Sequence, residues 1–384
     1  MFGLFSTNAL ERVALVDVSS SSVRAAYALI GKSAPVRIVY ETKVPIEVEK
    51  TGGANTSMLR AVDAALRNLR SEGAPKLHAL TGSGAAHQAF TSVCAPWQRA
   101  TLRTVTKTEE KPFVVTEELI RNALTSEPVP EDKVRTEEAV VATLLNGYET
   151  HKPVGKHTER SEIIVLSSLM DKDTHTLIER GLGSFSESHK VSLASFSSVS
   201  FRALSTAFPH ESDYLTLRVS GEATELSFVK RGFPLATIAV PIGIQSFMRA
   251  AHESGISVFS EPTKGEDIID REKNEKLHRA LLEIEQKWTE AFGDTLRGIA
   301  STHALPRTIF LLADEEARGL LARLIDAPEL HTLWLSDEPL TVIPLDSKHF
   351  ASLISRDTPF GGNTPIDLLA LHARTLLYHT SLTQ

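Results

Sequence analysis

The chain has 384 residues, 42% of them hydrophobic and 23% charged, and carries a formal net charge of −7. That length exceeds a single hydrophobic core and predicts two or more globular units. The absence of any run of about 18 apolar residues excludes a membrane-spanning helix, and the acidic balance without a basic tract excludes nucleic acid as the main partner. The one cysteine, Cys94, excludes a disulfide framework or a cysteine metal site and fits a reducing, cytoplasmic compartment.

In chain order, Met1-Phe-Gly-Leu-Phe5 is an apolar start without the basic flank or cleavage site of a signal peptide. Val13–Val18, Arg24–Ile30 and Val36–Thr42 read as strands. Leu59, Val62, Ala65, Leu66 and Leu69 recur three and four apart and predict a helix over Ser57–Ser71, with Gly73-Ala74-Pro75 stopping it. Leu77–Thr81 and Leu102–Thr108 look like strands, and Thr116 is an N-cap for a helix ending near Leu124. Thr136–Leu145 reads as either strand or helix, and Asn146-Gly147 as a turn. Glu162–Leu166 and Val191–Phe196 are expected strands, Lys172–Phe185 and Ser200–Ala207 expected helices. Tyr214–Val219, Glu225–Lys230 and Ala236–Val240 return to β, with Gly232 at a hairpin turn and a helix after Gly243. A long amphipathic helix is expected over Arg271–Ser301, its stripe running through Leu277, Leu281, Ile284, Trp288, Phe292, Leu296 and Ile299. Thr308–Leu312, Leu333–Leu335 and Leu340–Leu345 read as strands, Glu315–Ile325 and Ile366–Leu377 as helices.

Candidate chemistry is narrow. The histidines show no His-Glu-x-x-His spacing and there is no Gly-x-Ser-x-Gly elbow, so ordinary hydrolase readings lack support. Glu225, Glu266, Asp267 and Asp270 read as solvated charges. The informative motif is Asp17-Val18-Ser19-Ser20-Ser21-Ser22-Val23-Arg24: a strand ends in an aspartate and turns through small hydroxyl residues. Backbone N–H groups and hydroxyls beside a carboxylate can cradle a phosphate and, through water, its metal ion. A plain serine-rich hairpin turn is the alternative. The β-β-β-α order recurs at 214–255, where Ser220-Gly221-Glu222-Ala223-Thr224 forms the matching turn. Two such halves are expected to face one another across a cleft and hold a polyphosphate.

These residues resemble the actin-like ATPase superfamily, in particular the bacterial FtsA and PilM proteins. The apolar start and the Asp17–Arg24 motif resemble PilM most. Ala95-Pro96-Trp97, the segment from Lys111 to Thr116 and Leu145-Asn146-Gly147-Tyr148 also resemble proteins of this type. The resemblance implies an α/β, actin-like (ribonuclease H-like) two-lobed fold with a small α+β inserted subdomain in the first lobe. The expected boundaries are 1–75 and 161–207 for the first lobe, 76–160 for the insertion, 208–350 for the second lobe and 351–384 for a C-terminal return to the first.

The resemblance also implies ATP with magnesium as cofactor. The matching positions are Asp17 (metal and nucleotide), Ser19, Ser20, Ser21, Arg218, Gly221, Glu222, Thr224, Gly243 and Ala313. Two departures point to weak or absent turnover, hence no catalytic residue and at most a slow ATPase. Arg218 replaces an aspartate of the second turn, where a guanidinium repels a divalent cation. At Ala313-Asp314-Glu315-Glu316 the glycines of the adenosine turn are gone and negative charge faces the nucleotide. PilM-like proteins act at the inner membrane, capturing the cytoplasmic tail of the bitopic protein PilN within the type IV pilus assembly complex. The resemblance therefore implies a cytoplasmic scaffold held at that membrane through its partner. We expect the tail in a groove walled by Trp97, Phe113 and Tyr148, although Trp97 and Phe113 also suit core packing. The alternatives are an ATP-binding conformational switch and an FtsA-like cell-division protein, which would add filament formation and a basic amphipathic C-terminal helix. Here only Arg374 is a fixed cation in the final helix, which instead suits packing back on the first subdomain.

Overall fold

Strands β1 (Glu11–Val18), β2 (Ser22–Ile30) and β3 (Val36–Pro45) are rich in valine, isoleucine, alanine and tyrosine, and β2 is buried along its whole length. The structure, a computed structural model, describes residues 10–47, 53–125, 127–188, 190–253, 271–335, 338–357 and 363–378. The apolar start and Glu266, Asp267 and Asp270 lie outside the described residues. After β3 come α1 (Ala54–Asn68), a π-type turn at Leu69–Gly73, α2 (Ala74–Thr81) and β4 (Gln88–Val93). Then follow β5 (Gln98–Val114), α3 (Glu117–Leu124), β6 (Lys133–Leu145), β7 (Tyr148–Glu149) and β8 (His157–Asp171). Next are α4 (Lys172–Gly183), β9 (Val191–Ser195), α5 (Phe196–Ala207), β10 (Tyr214–Val219), β11 (Thr224–Lys230) and β12 (Phe233–Val240). The chain continues through α6 (Ile244–Glu253), α7 (Arg271–Ala300), β13 (Thr308–Leu312), α8 (Glu315–Ile325) and α9 (Pro328–His331). It closes with β14 (Thr341–Pro344), β15 (Ile354–Arg356) and α10 (Thr364–Tyr378).

These strands form a six-stranded sheet ordered β15-β3-β2-β1-β4-β9, a five-stranded sheet ordered β12-β11-β10-β13-β14, and a four-stranded sheet ordered β5-β8-β6-β7. In the first, β1–β2 and β2–β3 are antiparallel while β1–β4 and β4–β9 are parallel. In the second, β10–β13 and β13–β14 are parallel. Leaving out β15, both larger sheets share one order: third, second, first, fourth, fifth strand of the repeat. The β-β-β-α echo in the sequence is thus a repeated sheet topology. By its contacts the chain divides into two compact units, residues 1–212, 228–237 and 346–384 in one, 213–227 and 238–345 in the other.

In the first unit, one face of the six-stranded sheet buries Ala14, Val16, Val18 and Tyr27 against Met58, Val62 and Leu66 of α1 and Ile178 and Leu182 of α4. Helix α10 lies against β1, β2 and β4 and alongside α5, with residues 364–373 buried.

Three sequence expectations are corrected. Leu77–Thr81 is helical, not a strand: Pro75 starts α2, and Gly82, at φ 76°, caps its end. Gly73-Ala74-Pro75 does not stop the first helix, because the backbone widens into the π turn and continues. A Cβ on Gly73 would lie 2.8 Å from Tyr40 Cδ1 and 2.9 Å from Tyr27 Cδ2, so glycine lets this segment press against the sheet. Leu333 and its neighbours form a bend rather than a strand. The open reading of Thr136–Leu145 resolves to strand β6, whose neighbours Glu138 and Arg135 form charged pairs. Thr116 does cap α3, its hydroxyl accepting from the Leu119 N–H at 3.1 Å.

One carboxylate of the four-stranded sheet reaches the six-stranded one, where Met170 and Val134 also join its core. Glu137 of β6 accepts from the Ser195 N–H at 3.0 Å, the Ser195 hydroxyl at 2.9 Å and the Ser168 hydroxyl at 3.3 Å. Ser195 in turn caps α5, so the negative charge lies at that helix's N-terminus. Glu137→Ala should cost about 2 kcal/mol in urea denaturation, since it strands two donors of Ser195. A loss under about 0.5 kcal/mol would mean that water replaces the carboxylate without penalty.

Candidate functional site

Both small-residue turns are closed by the same device. In the first, the Ser19 N–H and hydroxyl donate to the Ser22 carbonyl at 3.1 and 2.9 Å, and the Ser22 N–H donates to Ser19 Oγ at 3.2 Å. In the second, the Ser220 N–H and hydroxyl donate to the Ala223 carbonyl at 2.9 and 3.0 Å. The cross-strand register of the first hairpin sets Asp17 opposite Arg24. Their charged groups are 3.7 Å apart and both side chains are buried. Continuing the second hairpin from its own turn bond sets Arg218 opposite Glu225, the same pair with its signs exchanged. Arg218 and Glu225 are both buried, which corrects the reading of Glu225 as a solvated charge. By that register each hairpin carries one buried cation and one buried anion at the matching level.

The second turn is also gripped from behind. The first amides of α6 are committed to it, Ile244 N–H donating to the Ser220 carbonyl at 2.9 Å and Gln245 N–H to the Gly221 carbonyl at 2.8 Å. A Cβ on Gly243 would fall 2.5 Å from the Gly221 carbonyl oxygen and 2.7 Å from the Ala223 nitrogen, and against the Ser220 carbonyl oxygen as well. Arg249 of α6 forks onto both carboxylate oxygens of Glu222 at 2.7 and 2.9 Å. The Thr224 hydroxyl donates to the Ile242 carbonyl at 2.7 Å and accepts from Trp288 Nε1 at 3.0 Å. Glu222, Thr224 and Gly243, each a candidate nucleotide contact, are therefore engaged within the protein. At the third candidate element, the Ala313 carbonyl accepts from Arg318 Nε at 3.1 Å. Asp314 occupies the N-cap position of α8, and Glu315 and Glu316 stand in its first turn, where acidic residues favour the helix dipole.

Tested against magnesium and ATP, these groups do not fit. The carboxylate expected to orient metal-bound water, Asp17, stands in a buried pair with Arg24. The second turn has its hydroxyl, its carboxylate and its neighbouring helix amides engaged, and the adenosine segment presents three acidic residues where glycines were expected. Among the described residues no group of three or more His, Cys, Asp or Glu side chains is placed to hold a metal.

The expected partner residues separate. Trp97 is buried in the core cluster beneath the six-stranded sheet, which is the packing role weighed for it. Phe113 is buried with Val115 and Leu145 at one end of the four-stranded sheet, with Lys107 Nζ 4.5 Å above its ring. At that same end Tyr148 is 78% exposed, and Val114 and Val154 are exposed with it. β5 has β8 as its neighbour on one side only, which leaves its other edge without a described strand. Sequence reading missed Arg249, Trp288 and Glu137. The first two act on residues 27 and 64 positions away, and no local pattern announces either contact.

No family model and no curated protein matches this chain. Among solved structures, one described as a PilM-PilN type IV pilus biogenesis complex superposes with a TM-score of 0.62 at 14% identity, covering 96% of this chain and 98% of that one. A protein of unknown function with an actin-like ATPase fold, from Bacteroides thetaiotaomicron, covers 97% and 99% at a TM-score of 0.40 and 9% identity. The ethanolamine utilization protein EutJ from Carboxydothermus hydrogenoformans covers 94% and 88% at a TM-score of 0.39 and 13% identity. The latter two are too loose to argue from. With the repeated sheet order, the likeness shows that the chain has the actin-like α/β fold.

Proposed function

We propose that this chain is a PilM-like scaffold of a type IV pilus assembly complex. It binds the cytoplasmic tail of a bitopic, PilN-like membrane protein and is held at the inner membrane through it. The observation that carries the reading is the end-to-end likeness to the PilM-PilN structure, which spans nearly all of both chains. Consistent with anchoring through a partner, no helix among the described residues is long and apolar enough to cross a membrane. Nucleotide binding is weak or lost, because the groups that would meet magnesium and phosphate are spent on contacts inside the protein. The tail docks at the end of the four-stranded sheet, where Tyr148 supplies an exposed ring beside the exposed Val114 and Val154.

Calorimetric titration tests this with a peptide of the cytoplasmic tail of the PilN-like protein from the same genome. Tyr148→Ala should weaken binding roughly tenfold, the scale of one aromatic anchor, without moving the melting temperature. Trp97→Ala should lower the melting temperature instead, as a buried core truncation does. Failure of the tail peptide to bind the wild-type chain ends the scaffold reading. Unchanged affinity in Tyr148→Ala moves the docking surface elsewhere. Tight MgATP binding to the wild type would replace a scaffold with a nucleotide-driven switch.

A further inference from the structure

We propose that the β10–β11 turn is a self-liganded oxyanion site: the Ser220 and Gly221 carbonyls and the Glu222 carboxylate take the donors that would otherwise hold an external phosphate group. The proposal rests on the reading above that nucleotide binding is weak or lost, and it names the reason at this turn. A helix N-terminus presents unsatisfied amides and positive potential, which favour an anion. At α6 those amides point at this chain's own carbonyl oxygens, at 2.9 and 2.8 Å. A guanidinium fork matches carboxylate and phosphate oxygens equally well in geometry. Arg249 closes that fork on Glu222 at 2.7 and 2.9 Å and also donates to the Ser246 hydroxyl at 3.2 Å. Gly243 supplies the close approach and the Thr224–Trp288 bond braces the strand behind it, so the internal ligand is held from three sides. An incoming oxyanion has to displace a bidentate carboxylate tethered to the same hairpin, at an effective concentration no dilute ligand matches.

The test is metal-free pyrophosphate, titrated at low ionic strength into the wild type, Glu222→Ala and the double variant Glu222→Ala/Arg249→Gln. The wild type should bind weakly at most, Glu222→Ala should bind at least tenfold more tightly than the wild type or its detection limit, and the double variant should lose the gain. Equal weak binding by wild type and Glu222→Ala overturns the proposal, as does a gain that survives loss of Arg249. If Glu222→Ala does not fold, Glu222→Gln removes the charge at nearly constant shape and takes its place with the same expectations. Hydrogen exchange at Ile244 and Gln245, followed with and without MgATP, separates the two readings. MgATP binding to the wild type without change at these amides defeats the loss of nucleotide binding and leaves the closed turn standing. A failed pyrophosphate gain defeats the closed turn and leaves the scaffold reading standing.

Discussion

Gly243→Ala is expected to destabilise the chain by about 3 kcal/mol or more, enough to remove much of a typical domain's stability. The new methyl would meet backbone rather than a flexible side chain: the Gly221 carbonyl oxygen at 2.5 Å, the Ala223 nitrogen at 2.7 Å and the Ser220 carbonyl oxygen. Relief requires α6 to back away from the turn, which lengthens the Ile244 and Gln245 hydrogen bonds, each worth about 1 kcal/mol. The constraint is steric, so no larger residue escapes it. Gly298→Ala and Gly319→Ala provide the control. They sit inside α7 and α8 with nothing within 4 Å of the added methyl, and each should stabilise by up to about 1 kcal/mol. Urea denaturation of the three variants reads this directly. A Gly243→Ala loss of under about 1 kcal/mol would show that the turn and helix separate easily, against the packing described.

The second large effect is a pair of opposing pH dependences on one helix. Asp367 of α10 is wholly buried, and burial raises it to about 7 although Arg356 and the Ser347 hydroxyl oppose the shift. Glu41 of β3, buried beside the same Arg356, is raised too, so one guanidinium serves two carboxylates. His372 of the same helix is lowered to about 3, first by burial and then by Arg202 of α5, and neither ring nitrogen has a hydrogen-bond partner among the described residues. The signs follow from proton binding. A raised carboxyl binds a proton in the folded chain that the unfolded chain has released, so its stabilisation is full below pH 3.8 and is lost as pH rises to about 7. A depressed imidazole is protonated only in the unfolded chain, so stability is lost as pH falls from 6.5 towards 3. Each pH unit is worth about 1.4 kcal/mol per group, so each contribution is on the order of 4 to 5 kcal/mol over its window.

In the wild type these slopes oppose one another between 3.8 and 6.5. His372→Leu should therefore gain about 3 kcal/mol over the wild type at pH 4.5, relative to their difference at pH 8. Asp367→Asn should gain on the wild type as pH rises from 4 to 7, by about 4 kcal/mol. Urea denaturation across pH 4 to 8 measures both differences. Curves parallel to the wild type would mean that these groups are solvated in the folded chain.

Much of the architecture was legible because local rules carried it. The β-branched runs around Val13, Tyr27, Leu215 and Phe310 are strands, the stripe from Ile284 to Ile299 is helical, and the Thr116 cap is where its side chain predicts. The repeat was legible because each half opens with a strand ending in small residues, and those residues do close equivalent turns. Leu77–Thr81 misled because a short apolar run fits either strand or helix, and Pro75, read as a stop, began the next helix. Glu225 misled because a charged residue is ordinarily solvated, and its register partner lies across a hairpin that sequence reading did not follow through.

Periodicity, turn chemistry and the Asp17–Arg24 motif thus determined by themselves that this is a repeated α/β chain with two matched small-residue turns. What became of those turns was decided by tertiary structure alone. The contacts of Arg249 with Glu222, of Trp288 with Thr224, and of Gly243 with the backbone at 220–223 join segments that only folding brings together. A motif specifies which groups a turn can offer. Whether they remain on offer depends on donors and acceptors arriving from elsewhere in the chain, because buried polar groups take whichever partner lies within reach.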